Sequence, residues 1–195
     1  METTHWPWYA PTVTRLDPSI SMCLAVLAAA CSAPSSPTPA HVAEGAPSGA
    51  LVDVQPLTIS FRGQTIGRLF ADGRSESAGS NAPGSVLVPG PTIRSDGTIV
   101  PTRAGFTARL DASGAVYVVD ARGASPREEL FGHIVGDRFT FAGSERDWTV
   151  RVEDDVLWFG EHDSSQIDGV VTPSLRRTAL VMAVAFYIEG ALAER

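Results

Sequence analysis

Leu110-Asp111-Ala112-Ser113-Gly114-Ala115-Val116 decides how the body of this chain reads. An apolar residue is followed by two spacers, a Ser-Gly pair and a return run of β-formers, which is the pattern of a strand, a tight turn and the next strand. Gly114 supplies the positive φ that primed two-residue hairpin turns require. Upstream, Phe106-Thr107-Ala108-Arg109-Leu110 exchanges apolar and polar residues at period two, the signature of a strand with one dry and one wet face.

The unit recurs. Leu69-Phe70-Ala71-Asp72-Gly73 and Ile93-Arg94-Ser95-Asp96-Gly97-Thr98-Ile99 share its layout, and Val150-Arg151-Val152-Glu153-Asp154-Asp155-Val156-Leu157-Trp158 reads as a degenerate fourth copy. Arg62-Gly63 and Gly136-Asp137 add two more hairpin signals. Spacings between the turn glycines are unequal, so the texture is a meander of hairpins and not a solenoid with a fixed period. Thr149–Glu153 and Phe139-Thr140-Phe141 alternate as Phe106–Leu110 does. The expected core therefore includes Phe106, Leu110, Phe139, Phe141, Val150 and Val152. Residues 75–91 interrupt the pattern and read as a long loop, with Val86-Leu87-Val88 an edge strand bounded by prolines.

The C-terminal end changes period. Thr172 is a candidate N-cap and Pro173 occupies the first helical position, where its missing N–H costs nothing. A helix over about 173–193 follows. The uncharged run from Thr178 to Ile188 would span about 16 Å as a helix, about half of a ~30 Å hydrocarbon layer. It is apolar nearly all round, which predicts burial against the sheet or in a partner interface. Arg176 and Arg177 beside it read as a solvated face, with neighbouring carboxylates or lipid headgroups as the rarer contacts. The expected architecture is mainly β: an antiparallel meander of short hairpins with one C-terminal apolar α-helix packed on the sheet.

The N-terminal fifty residues have a different character. Ile20–Cys31 (ISMCLAVLAAAC) is an uncharged apolar run of the length of a signal-peptide core and too short to span a bilayer. Its ending, Leu27-Ala28-Ala29-Ala30-Cys31, resembles the lipobox of bacterial envelope lipoproteins, in which the cysteine carries a diacylglycerol and becomes the first mature residue. Those lipoproteins prefer leucine three places before the cysteine, where Ala28 stands here. The resemblance implies lipid attachment at Cys31, a membrane partner through that anchor and, with Ser32 following, sorting to the outer membrane. A cleaved secretory signal giving a periplasmic or secreted protein is the alternative. Residues 1–19 are long for a leader and carry one cation, Arg15; a start at Val13 would give a conventional shape. Trp6 and Trp8 are also unusual there. Ser32–Ala50 is rich in Pro, Ser and Ala, buries too little to offset ordering entropy, and reads as a tether. His41 within it reads as a solvated residue. The expected organisation is a leader over 1–30, a tether over 31–50 and a single domain over 51–195.

Composition narrows the function classes. The net charge of −7 and the scattering of fifteen cations, all arginine, argue against nucleic-acid binding. Both cysteines, Cys23 and Cys31, precede the body, so the body has neither a disulfide nor a thiolate metal ligand. No phosphate loop, nucleotide-binding glycine triplet, zinc-protease helix or serine-hydrolase elbow occurs.

The densest polar cluster is Glu161-His162-Asp163, with Asp168 close behind and His133 elsewhere in the body. Carboxylates and imidazole together can hold a cation or move protons. Consecutive strand residues point to opposite faces, so the commoner reading is a solvated loop. His133 reads more readily as structural. Trp148 and Trp158 are candidates for an aromatic platform for a glycan or peptide, though such residues are more often core. No catalytic residue, metal ligand or cofactor is assigned. The leading expectation is a non-enzymatic, envelope-anchored β-domain with a structural or binding role toward an envelope protein or glycan. The alternative is an envelope hydrolase or metal-binding protein using the Glu161/His162/Asp163 region.

Overall fold

The computed structural model describes residues 50–78, 85–143 and 149–193. The expectations for the leader, Cys31, the tether, His41 and Trp148 lie outside those residues. Thirteen strands form one antiparallel sheet, and a single helix follows them. The strands are β1 Leu57–Phe61, β2 Gln64–Leu69, β3 Ser75–Ala78, β4 Leu87–Pro89, β5 Thr92–Ile93, β6 Thr98–Val100 and β7 Phe106–Leu110. They continue as β8 Ala115–Asp120, β9 Arg127–Val135, β10 Arg138–Phe141, β11 Thr149–Glu153, β12 Val156–Phe159 and β13 Asp163–Ile167, and α1 is Pro173–Ala193. Each strand pairs with its sequence neighbours, as the meander reading expects, except that β1 also pairs β13 (Ile59 opposite Ile167) and that β4 and β5 are not paired to each other.

That exception closes the sheet. The two ends of the strand order, β4 and β5, are separated in the chain only by Gly90 and Pro91. The Gly90 N–H donates to the Ser75 carbonyl and the Ile93 N–H to the Gly73 carbonyl, so residues 87–93 run as one broken strand between β3 and β6. With β4 and β5 taken as that single pass, the sheet is a closed up-and-down barrel of twelve passes. The segment expected as a long loop with an edge strand is therefore a barrel wall: Ser75–Ala78 is a strand, and Leu87–Pro89 pairs with it.

The turns at one end share one device. In the units around Gly73, Gly97 and Gly114 the loop holds three residues, not the expected two. Gly114 donates to the Asp111 carbonyl while Asp111 donates to the Ala115 carbonyl, with Gly114 at φ 89. This is the turn-plus-bulge form of three-residue hairpins, which needs a positive φ at its last position. Each turn then presents its last carbonyl to the next unit. Gly73 accepts from Ile93, Gly97 from Leu110, Gly114 from Ile134, Asp137 from Val152 and Asp155 from Ile167, all at 2.7–2.9 Å. The degenerate fourth copy thus makes the same contact with an Asp-Asp turn. The sequence resemblance between units follows from a shared hydrogen-bond pattern along the barrel rim.

The helix runs through the barrel. Its N-cap is Thr172, whose hydroxyl accepts from the Leu175 N–H at 3.2 Å. All eleven residues from Thr178 to Ile188 are buried. Contacts reach it from several walls: Gly67 of β2 and Gly90 lie against Phe186, and Phe141 of β10 and Phe159 of β12 lie against Tyr187. An apolar circumference is what a helix enclosed on all sides requires. At its first turns the Thr178 hydroxyl donates to the Asp53 carbonyl, and Val52 is buried. At its far end Glu189 accepts from Thr102, and the Leu192 carbonyl accepts from Arg103. Inward strand residues Ile59, Ile99, Phe139, Leu157 and Ile167 complete the core, with Phe106, Leu110, Val150 and Val152 buried as expected and Phe141 half-buried. Outward positions such as Arg68, Thr107, Arg109, Arg138 and Thr140 are exposed and polar, the reverse of a lipid-facing barrel wall.

Candidate functional site

Glu161 and His162 lie in the turn between β12 and β13, after Gly160 at φ 63. The imidazole Nε2 stands 3.8 Å from the Glu161 carboxylate, and both side chains are about nine-tenths exposed. Such a pair is screened by water and fixes little. Asp163 opens β13 opposite Phe159 and is exposed. Asp168 lies beyond the other end of β13, where its carboxylate accepts from the Ser60 hydroxyl and its N–H donates to the Thr58 carbonyl. That arrangement ties β13 to β1 and closes the barrel. Asp168 therefore serves the seam between first and last strands, at the end of β13 opposite Glu161.

His133 sits on β9 opposite Thr140 of β10 and Ala115 of β8, with its side chain exposed. Three strands separate β9 from β13 in the sheet, so the two histidines belong to different walls. Among the described residues no three His, Cys, Asp or Glu side chains are grouped to hold a metal ion. The polar cluster is thus one exposed Glu–His pair, one exposed carboxylate, one structural carboxylate and one distant imidazole.

The outer wall carries an ordered set of arginine–aromatic contacts. The Arg109 guanidinium lies 4.3 Å from the centroid of Tyr117, its direct cross-strand partner, and its Nε is 2.6 Å from Glu128. Arg151 stands 5.2 Å from the ring of its cross-strand partner Trp158 and donates to the Gly160 carbonyl. In the loop after β8, away from that outer face, Arg122 lies 4.1 Å from the ring of the core residue Phe106 while bonding Asp120 through two side-chain nitrogens. These contacts cover aromatic faces with charge. Trp158, a candidate for a platform, is therefore half-buried under a guanidinium. For Arg109–Tyr117 and Arg151–Trp158 the sequence signal is arginine and aromatic at outward positions of successive strands, which becomes legible once the register is known.

Around the rim the turn carboxylates are held by their own loops. The Asp72 carboxylate accepts from the Arg74 side chain and backbone, Asp96 from the Thr98 N–H, and Asp111 from Ser113 and Ala115. These bonds favour the ionised form and lower all three acids below the ordinary aspartate value, the Arg74 side chain leading for Asp72, the Thr98 N–H for Asp96 and the Ser113 hydroxyl for Asp111. Inside, burial pushes the Tyr187 phenol up, with the Asp163 charge adding to it. Arg176 reaches Asp137 and Asp154 at 3.7 and 3.6 Å, with its Nε buried and unpartnered, and Arg177 donates to the Leu51 carbonyl. Both arginines tie the helix start to the rim, where the sequence suggested a solvated face.

The architecture defines a class by its form: a small closed β-meander, polar outside, with its own C-terminal helix as the core. No protein-family model, curated protein or solved structure matches the chain.

Proposed function

We propose that this protein is an exported envelope protein whose tethered β-domain has a structural or binding role, not a catalytic one. The observation that carries the reading is how the body uses its polar and apolar groups. The interior is filled by the chain's own helix; Glu161, His162 and Asp163 are exposed together at one end of β13, while Asp168 lies at its other end and His133 on another wall. General acid–base work needs two such groups within hydrogen-bond reach of one substrate position, in a site that limits water. The Glu161–His162 pair lies in open solvent, so the hydrolase alternative gains nothing from it. The outer surface remains for partners.

The location rests on the residues from Ile20 to Ala50, read as a lipobox-type signal ending at Cys31 and a Pro/Ser/Ala tether. Intact-mass analysis of the membrane fraction from cells expressing wild type and Cys31→Ser tests it. The expected result is a mature species beginning at Cys31 with added acyl mass, absent in the mutant. An unmodified chain retaining residues 1–30 would overturn the proposal. A chain trimmed near residue 31 without acyl mass would keep export and remove the anchor.

A further inference from the structure

Where two charged residues meet in register across the described strands they carry opposite signs, with one exception. Arg68 faces Glu76 and Asp120 faces Arg127, but Arg138 of β10 faces Arg151 of β11. The Val152 N–H donates to the Asp137 carbonyl one step beyond the pair. The two arginines therefore share the narrow non-bonded position, where Cα atoms stand about 4.5 Å apart and like charges destabilise the pairing. Both point outward, because the next pair, Phe139 and Val150, is buried. Their surroundings differ. Arg151 is held by Glu153 at 2.8 Å and by the Gly160 carbonyl at 2.7 Å, beside Trp158. Arg138 is exposed and makes no hydrogen bond or ion pair among the described residues. Two cations thus meet one carboxylate, on a chain whose net charge is −7. Two residues along the same face, Thr140 lies opposite Thr149 on one side and His133 on the other.

We infer that the Arg138–Arg151 pair is a binding subsite for the carboxylate of an acidic sugar, with Arg138 supplying the free guanidinium. The inference rests on the binding role proposed above and names its ligand class. A bound oxyanion turns the repulsion between the two cations into attraction to a common charge, and a guanidinium fork takes a carboxylate through two parallel bonds. Arg151 is already fixed by its own contacts, so binding orders little there. An anionic membrane surface is read by clusters of about four to eight cations, and a nucleic-acid backbone by a basic stripe. Two cations suit a single oxyanion. The neighbours select the sugar: the half-buried Trp158 offers apolar surface beside Arg151, and the Thr140 and Thr149 hydroxyls offer partners for ring hydroxyls.

The test is an NMR titration of the full chain with a galacturonate trimer, a neutral galactose trimer and inorganic phosphate, read at the arginine side-chain N–H groups and the Trp158 indole N–H. The acidic trimer is expected to shift the Arg138, Arg151 and Trp158 signals with a Kd of about 1 mM or tighter, as two charge-assisted contacts give. Arg138→Gln is expected to weaken it at least about tenfold and, because it relieves the like-charge contact, to raise the urea midpoint. Arg109→Gln, which removes a guanidinium already held by Glu128, should leave the affinity within about twofold of wild type. Absence of binding by the acidic trimer, equal binding by the neutral one, or an unchanged affinity in Arg138→Gln would each overturn the assignment. Phosphate binding as tightly as the acidic trimer would remove the sugar from it. A lower urea midpoint in Arg138→Gln would make Arg138 a support of the wall and sink the argument from repulsion. None of these outcomes depends on Cys31, so the location stands or falls by the mass analysis alone.

Discussion

A helix on the outside of a sheet has a face that tolerates change; a helix inside a barrel has none. Successive residues advance by about 100° around a helix. Leu180, Val181, Met182 and Ala183 therefore sample four directions, and all four are at most 1% exposed. Leu180→Ala and Met182→Ala each remove a fully buried side chain, which costs about 2–5 kcal/mol including the cavity left behind. Val181→Ala removes less and is expected to cost about 1.5–3 kcal/mol. The fourth direction holds only a methyl group, so it is tested by overpacking: Ala183→Leu adds carbon where the wall is closed and is expected to cost about 1–3 kcal/mol. For a domain of this size a 3 kcal/mol loss lowers Tm by roughly 6–12 °C.

The assay is urea unfolding by circular dichroism for each single variant, with the slope compared to wild type so that a change in midpoint can be read as stability. All four directions are expected to be destabilised. If one of the four cost less than about 0.5 kcal/mol, as surface positions usually do, the helix would have a free face and would not be enclosed by the sheet. A surface-packed helix would show that pattern in at least one of the four.

Two further predictions concern the turns. Gly114→Ala would place a Cβ 2.1 Å from the Ile134 carbonyl oxygen, at the point where the Gly114 carbonyl accepts the Ile134 N–H, whereas a Cβ on Gly143 meets nothing within 4 Å among the described residues. Both glycines have positive φ, so Gly143→Ala is expected to cost about 1–2 kcal/mol for conformation alone and Gly114→Ala measurably more in the same urea assay; equal costs would remove the stacked-turn account of the repeat. The second prediction is pH dependence. Asp72, Asp96 and Asp111 are lowered from an ordinary value of 3.8, so the unfolded chain takes up protons at these sites before the folded one does. Their contribution is present above that value and is lost as pH falls through and below it. The urea midpoint is expected to stay flat from these groups between pH 7 and 5 and to fall below about pH 4. An Asp72→Asn/Asp111→Asn variant should show a shallower acid limb, and an unchanged limb would show that the turn bonds do not carry it.

Much of this fold is legible in the sequence because its pairing is local. Alternation in Phe106–Leu110 and Thr149–Glu153 identifies buried positions correctly, and the Thr172-Pro173 start marks the helix boundary. What the sequence hides is global. Ser75–Ala78 reads SESA, four residues with low strand propensity, and becomes a strand because its neighbours on both sides are fixed and the Ser75 hydroxyl has Pro91 to bond. Closure depends on β1 meeting β13 more than a hundred residues later, which no local pattern encodes. Asp168 looked like part of a polar cluster because it is near His162 in the chain, but β13 carries it to the opposite end, where it bonds Ser60. The arginine–aromatic pairs were invisible for a related reason: Arg109 and Tyr117 are partners only through the hairpin register.

Closure and the internal helix explain each other. A thirteen-strand meander left open would present two edges, each a row of unpaired backbone groups able to template association. Folding the ends together removes those edges but leaves an apolar interior that the strands' own inward side chains do not fill. The strands here are short and many inward positions are small: Gly67, Ala108 and Ala115 all lie in or against the core. A helix of about 31 Å with no polar face fits that space, and its largest side chains, Tyr187, Met182 and Phe186, sit against the wall. Without the helix the barrel would collapse or stay open; without the barrel the helix would expose apolar surface in every direction. At Gly90-Pro91, where β4 and β5 break, the backbone closes over Phe186 as it does at Gly67 of β2, so closing the sheet and covering this ring of the helix are the same contact.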